Sequence, residues 1–166
     1  QLLKGLDVLP RLEFRRVGDE LRQVGVRNGL RAYGEREQEH DRASDQNRRN
    51  VMTLSWHMMV EFEPPLLACV VSSDDFSFAA LCATQECVIA IPSVELADKV
   101  VAIGNVSGRE VDKYRTFGLT PPSAKRVSAP LIAECFANLE CRVVDTSLVC
   151  KYNLFVLEVV QAWHDP

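Results

Sequence analysis

Histidine is scarce here, and His40, His57 and His164 stand too far apart to share a metal-ligand spacing. The six cysteines (Cys69, Cys82, Cys87, Cys135, Cys141 and Cys150) form no Cys-x-x-Cys pair, and their intervals do not repeat. A zinc site built on clustered thiolates is therefore excluded. Cys69, Cys141 and Cys150 lie in or beside apolar runs, where a free thiol behaves as a small hydrophobe, so reduced thiols are expected. No glycine-rich fingerprint follows a strand-like run, which excludes a Rossmann dinucleotide site. No apolar run reaches the length of a membrane span, and the first residues lack a basic-then-apolar signal pattern. The expectation is a cytoplasmic protein with no membrane partner. A net charge of −4 gives no bulk attraction to nucleic acid.

What remains is an ordinary globular composition, 47% hydrophobic and 25% charged over 166 residues, enough for one domain with a core. The text changes character at Asn50. Residues 1–49 hold ten of the fourteen arginines and carry eleven Lys plus Arg against nine Asp plus Glu. Residues 28–49 offer little to bury, so no order is expected of them on their own account. The abrupt change looks like a coding stretch read in a shifted frame. The reading is thus an atypical Arg-rich segment, 1–49, before a folded domain, 50–166.

From Asn50 the β-signals are dense. Asn50-Val-Met-Thr-Leu-Ser-Trp56 alternates, with Val51, Thr53 and Ser55 on one face and Met52, Leu54 and Trp56 on the other. Such a strand fits either a flat, partly polar ligand or an ordinary barrel wall. Glu63-Pro64-Pro65 predicts a rigid turn, and Leu66 to Val71 a strand covered on both faces. Ser72 to Asp75 predicts a loop capping a helix over Phe76 to Cys82, and Cys87 to Ile91 another buried strand. Ser93 predicts a helix start, with Gly104 as its stop. A second short helix is predicted over Arg109 to Phe117, ended by Gly118. It would place Arg109 and Lys113 on one face beside Ser107-Gly108, either as an anion site or as two solvated cations. After a Pro-punctuated loop, Asn138 to Asp145 alternates, with Glu140 and Arg142 outward. Asn153 to Gln161 is apolar on both faces and needs cover from a barrel and from a second surface. Strands outnumber short helices, so the expected class is mainly β: an antiparallel barrel with helical connections.

Several stretches, in order, together resemble one family. They are Asn50-x-Met52-Thr53-x-Ser55-Trp56, Pro64-Pro65-Leu66, Glu86 to Pro92, Ser107-Gly108-Arg109-Glu110-Val111-Asp112-Lys113-Tyr114, Gly118-Leu119-Thr120, Ala129 to Ile132 and Asn138 to Cys141. The sequence over residues 50–165 is similar to the flavin reductase-like, flavoredoxin-type proteins with an FMN-binding split barrel. The resemblance implies a six-stranded Greek-key barrel, a homodimer, and FMN near the dimer interface. By position, Asn50, Met52, Thr53, Ser55 and Trp56 would line the flavin. Ser77, Ser107, Arg109 and Lys113 would contact it, with Lys113 at either the phosphate or the pyrimidine end of the ring.

Two positions depart from the pattern implied. Tyr152 stands where many relatives have a flavin-side histidine, and Leu157 where they often have glycine. The apolar strand expected just before Asn50 is missing from the text, which would leave an open barrel edge and weak or absent FMN binding. The C-terminal tail beyond the last strand is missing as well. The implied function is an NAD(P)H-dependent flavin reductase, an oxidoreductase in which the flavin does the chemistry and a monooxygenase or other redox protein receives the electrons. The alternatives are a flavoredoxin-like carrier without nicotinamide turnover, or a non-functional remnant.

Overall fold

The structure, a computed structural model, describes the backbone of residues 7–8 and 29–33, and residues 49–164 in full. Most of the Arg-rich segment 1–49, the subject of the frame-shift reading, lies outside the described residues. The strands are β1 (Asp7–Val8), β2 (Gly29–Tyr33), β3 (Asn50–Leu54), β4 (His57–Phe62), β5 (Pro65–Val70), β6 (Glu86–Pro92), β7 (Cys135–Asp145) and β8 (Leu154–His164). The helices are α1 (Phe76–Thr84), α2 (Ala97–Gly104, entered through a 3₁₀ turn at Val94–Leu96), α3 (Lys113–Phe117) and α4 (Val149–Tyr152). Among the described residues no helix is long and apolar enough to cross a membrane.

All pairings are antiparallel, in the order β3-β2-β6-β7-β8-β5-β4, with β1 added against the end of β8. β3 and β4 stand at opposite ends of that order, yet only Ser55 and Trp56 join them. Strands lie about 4.8 Å apart, so a flat sheet would separate its edges by far more than a two-residue link can reach. The sheet must curl until the two edges come together at the Ser55–Trp56 corner. The result is a mainly β split barrel, as the sequence predicts.

One expectation fails. The strand thought missing beside β3 is present at Gly29–Tyr33, paired along β3 from Gly29↔Leu54 to Tyr33↔Asn50 and on its other side with Val88 to Ala90 of β6. Backbone ladders are blind to side-chain type, and context between two apolar strands outweighs the hydropathy of five residues. The barrel edge beside β3 is therefore closed.

Alternation divides the apolar residues into two cores. Leu54, Ile89, Leu139, Phe155 and Leu157 fill the barrel, where α1 adds Leu81 and the Phe78 ring meets Phe155 edge-on at 5.7 Å. Val51, Val88, Ala90 and Trp163 face outward, under α2, α3 and the loop through Leu131 and Ile132. β3 and β6 are thus covered on both faces, which explains their dense apolar text.

Outward on β7 does not mean exposed. Glu140 is fully buried: its carboxylate accepts from the backbone N–H of Lys125 (3.0 Å), Arg126 (2.5 Å) and Val127 (3.2 Å), and from Trp163 Nε1 (2.7 Å). Asn138 likewise accepts from Ile132 N and donates to Ile132 O. Both side chains pin the Pro-rich loop onto the sheet. Among the described residues no disulfide forms: Cys69, Cys87, Cys135 and Cys141 lie in the interior, and Cys82 and Cys150 are exposed.

Candidate functional site

Two of the predicted binding residues meet where β3 begins. Asn50 and Ser77 are both buried, and Asn50 Nδ2 donates to Ser77 Oγ at 2.7 Å. Ser77 stands in the first turn of α1, so this bond ties β3 to the start of a nine-residue helix. Thr53 faces the other way, as alternation requires, and its hydroxyl donates to Val100 O at 2.6 Å. It fastens β3 to α2 rather than standing open to a ligand.

The second part of the cluster differs from expectation. No helix spans Arg109 to Phe117. Ser107 O accepts from the N–H of both Glu110 and Val111, and Ser107 Oγ accepts from Arg109 N at 3.2 Å, closing a turn. The helix begins only at Lys113, because the Asp112 side chain accepts from Arg115 N at 3.2 Å and caps it there. Gly118, at φ 61°, ends it as read. Arg109 and Lys113 therefore do not share a helix face. The Arg109 guanidinium lies 5.8 Å from the centre of the Phe76 ring, at the start of α1.

Lys113 is no solvated surface cation. It is 4% exposed, and its Nζ donates to Ile103 O, at the C-terminal end of α2, at 3.0 Å. Burial pushes its ammonium below the ordinary lysine range, and the Asp75 carboxylate works in the opposite sense. A lysine ammonium has three donors, so two remain beyond the bond to Ile103.

Other predicted site residues lie apart from this knot. Met52 is half-buried against the barrel core, and Ser55 is exposed. Trp56 is 71% exposed. Tyr152 is also exposed, with the Lys151 ammonium 5.0 Å from its ring centre. Trp56 O accepts from Val70 N, and Asn153 O from Val71 N, so Trp56 and the Tyr152–Asn153 corner flank the exit of β5 that leads towards α1.

Sequence reasoning missed Gly108, Phe76 and Ile103. A Cβ built on Gly108 would overlap the Asn50 side chain, lying 2.7 Å from its Cγ, and would stand 3.0 Å from Phe76 Cδ1. The backbone at 108 must therefore press directly on the Asn50 amide. The Ser-Gly pair ahead of a helix was visible in the text; its contact with a strand 58 positions earlier was not. Among the described residues, no group of three or more His, Cys, Asp or Glu is placed to hold a metal.

This donor-rich start of β3 can be set against known proteins. The family described as flavin reductase like domain matches residues 42–166. The chain belongs to this family. It is 36% identical over 115 residues to an uncharacterised protein of Archaeoglobus fulgidus, covering 69% of this chain and 65% of that protein. It is 37% identical over 120 residues to the uncharacterised Escherichia coli protein YddH, covering 71% and 64%. The chain thus spans a little under two thirds of these relatives.

Among solved structures, an FMN-binding domain of a flavin reductases-like enzyme from Shewanella baltica matches with a TM-score of 0.78 at 21% identity, covering 97% of this chain and 78% of that one. The flavoredoxin of Desulfovibrio vulgaris matches at 0.73 and 21% identity, covering 84% and 70%. The Streptomyces globisporus NADH:FAD oxidoreductase SgcE6 matches at 0.65 and 20% identity, covering 95% and 86%. These likenesses establish the fold.

Proposed function

We propose that the chain binds FMN at the start of β3 and works as an oxidoreductase, with a reduced nicotinamide as electron donor. The observation that carries this is the buried Asn50–Ser77 pair under Gly108, with the buried Lys113 ammonium close enough to the start of α1 to feel the Asp75 carboxylate. Its chemistry suits a phosphorylated, acceptor-rich ligand. Ser77 Oγ already accepts from Asn50, so its own proton is available to donate. Lys113 adds a cation with two remaining donors, and Arg109 a second cation above Phe76. Ser77, Lys113, Arg109 and Ser107 would hold FMN, and Trp56 and Tyr152 are exposed aromatic surfaces that would reach the ring system.

A bound flavin supplies the uptake and release of electrons, and the protein supplies binding, orientation and electrostatics. Lys113 stabilises negative charge, and its burial lowers the effective screening around it. The Asn50–Ser77 bond orients the hydroxyl before any ligand arrives, so little ordering cost falls on binding. Steady-state oxidation of NADH and NADPH with added FMN tests the reading. Turnover that rises with FMN supports a reductase.

The likeness to a flavoredoxin favours a second reading, an FMN carrier that exchanges electrons with a redox protein such as a monooxygenase component. It predicts tight FMN binding with no nicotinamide oxidation.

We also infer a homodimer. β4 is a terminal strand of the sheet order, and Met58 and Val60 on it are exposed, as is Trp56 just before it. The outward positions of β8, Leu154, Val156 and Val160, keep partial exposure too. Apolar stripes on an edge strand favour cover by a second surface. Sedimentation of the purified chain tests this.

A further inference from the structure

We propose that Gly108 is a positioning residue of the FMN site, acting as a latch on the Asn50 amide. The inference rests on the FMN reading above and adds to it how the site is held in shape. Three contacts make the latch. The backbone at Gly108 lies against the Asn50 amide so closely that a Cβ there would come 2.7 Å from Asn50 Cγ and overlap Oδ1. On its other side the amide donates from Nδ2 to Ser77 Oγ at 2.7 Å. The Ser107 carbonyl accepts two backbone N–H groups and so fixes the turn that carries Gly108.

The Asn50 amide is therefore gripped between a backbone it cannot push away and a hydroxyl it must donate to. An amide held this way presents its N–H and not its oxygen to Ser77, which makes Ser77 a hydrogen-bond donor toward whatever lies beyond it. A methyl at position 108 would push the amide out of this place and break its Nδ2 bond to Ser77 Oγ. Ser77 would then lose the neighbour that orients its hydroxyl toward an acceptor ligand. Gly108 touches no ligand in this account. It sets where the Asn50 amide sits against the Ser77 hydroxyl, and the same turn carries Ser107 and Arg109.

A double-mutant cycle decides the matter, with FMN affinity read by quenching of flavin fluorescence and thermal unfolding read without flavin. The variants are Gly108→Ala, Asn50→Ala and the pair. The latch predicts that Gly108→Ala weakens FMN binding tenfold or more in the wild-type background. It predicts less than a twofold further loss in the Asn50→Ala background, where the added methyl has room. An equal loss in both backgrounds, meaning that the methyl acts through Phe76 or the turn itself, overturns it. If Gly108→Ala alone is insoluble, recovery of soluble protein in the double variant supports the latch, and insolubility of both overturns it. If the wild-type chain does not quench flavin, the FMN reading fails separately. The latch then stands or falls on whether Gly108→Ala lowers the melting temperature only when Asn50 is present.

Discussion

Lys113 Nζ donates to the Ile103 carbonyl oxygen at 3.0 Å, so the one buried lysine among the described residues is tied to the C-terminal end of the preceding helix. A helix C-terminus leaves carbonyls without partners and carries partial negative charge, and a cation placed there satisfies both. Lys113→Ala should therefore do two things. Affinity for FMN should fall roughly tenfold or more, since a charge-assisted hydrogen bond is worth about 1.5–3 kcal/mol. Stability should fall as well, because the Ile103 carbonyl loses its partner in a buried setting. Fluorescence titration and thermal melts of one preparation check both. Unchanged FMN affinity with a lowered melting temperature would make Lys113 structural only.

The same lysine sets a pH dependence. Burial lowers its pKa from 10.5 in the folded state. The unfolded chain therefore holds this proton to higher pH than the folded chain does. Between the lowered pKa and 10.5 the unfolded state binds more protons, so this group's contribution to stability rises with pH in that window. Ligand affinity runs the other way, because the neutral amine no longer attracts an anion. FMN binding should weaken as pH climbs through the lowered pKa, at a pH where the melting temperature does not fall on account of this group. In Lys113→Met that alkaline loss of affinity should be absent.

Glu140 makes a prediction independent of any ligand. Removing its carboxylate leaves three partly buried backbone N–H groups and the buried Trp163 indole N–H without their acceptor. Glu140→Ala should cost about 3 kcal/mol or more, since each buried donor left without a partner costs about 1–3 kcal/mol. Chemical denaturation measures the loss, and limited proteolysis should find new cleavage near residues 125–127.

Thr53→Val keeps the shape of the side chain and removes its bond to Val100 O. The expected cost is about 1–2 kcal/mol in stability with little change in FMN affinity, because the hydroxyl is spent on α2. A large affinity loss with an unchanged melting temperature would instead put Thr53 on the ligand.

For the dimer, Val60→Lys places a charge in the exposed apolar stripe of β4. Sedimentation should give a dimer for the wild type and a monomer for the variant. A wild-type monomer would contradict the homodimer.

The parts of this molecule that depend on neighbouring residues could be read from the text. The alternation of Val51 to Leu54, the turn at Glu63-Pro64-Pro65, and Gly118 as a helix stop need only local sterics and period. α3 starts four residues later than the text suggests, at Lys113, because Asp112 caps it there while Ser107 closes a turn ahead of it. Burial was harder to read. Lys113 and Glu140 look like surface charges, and their partners, Ile103 and the loop at 125–127, are set by tertiary packing. Gly29–Tyr33 was passed over because its own composition is weak and its pairing partners lie far along the chain. The candidate site was legible as a set of residues. The pressure of Gly108 on Asn50 was not, because no sequence rule reports how near two backbones come.

The most direct test of the account is a titration of FMN with the purified wild-type chain, followed by quenching of flavin fluorescence. The buried Asn50–Ser77 pair and the buried Lys113 predict saturable quenching that ends at one FMN per chain. A folded chain, verified by a cooperative melt, that leaves flavin fluorescence unchanged across the titration would contradict it.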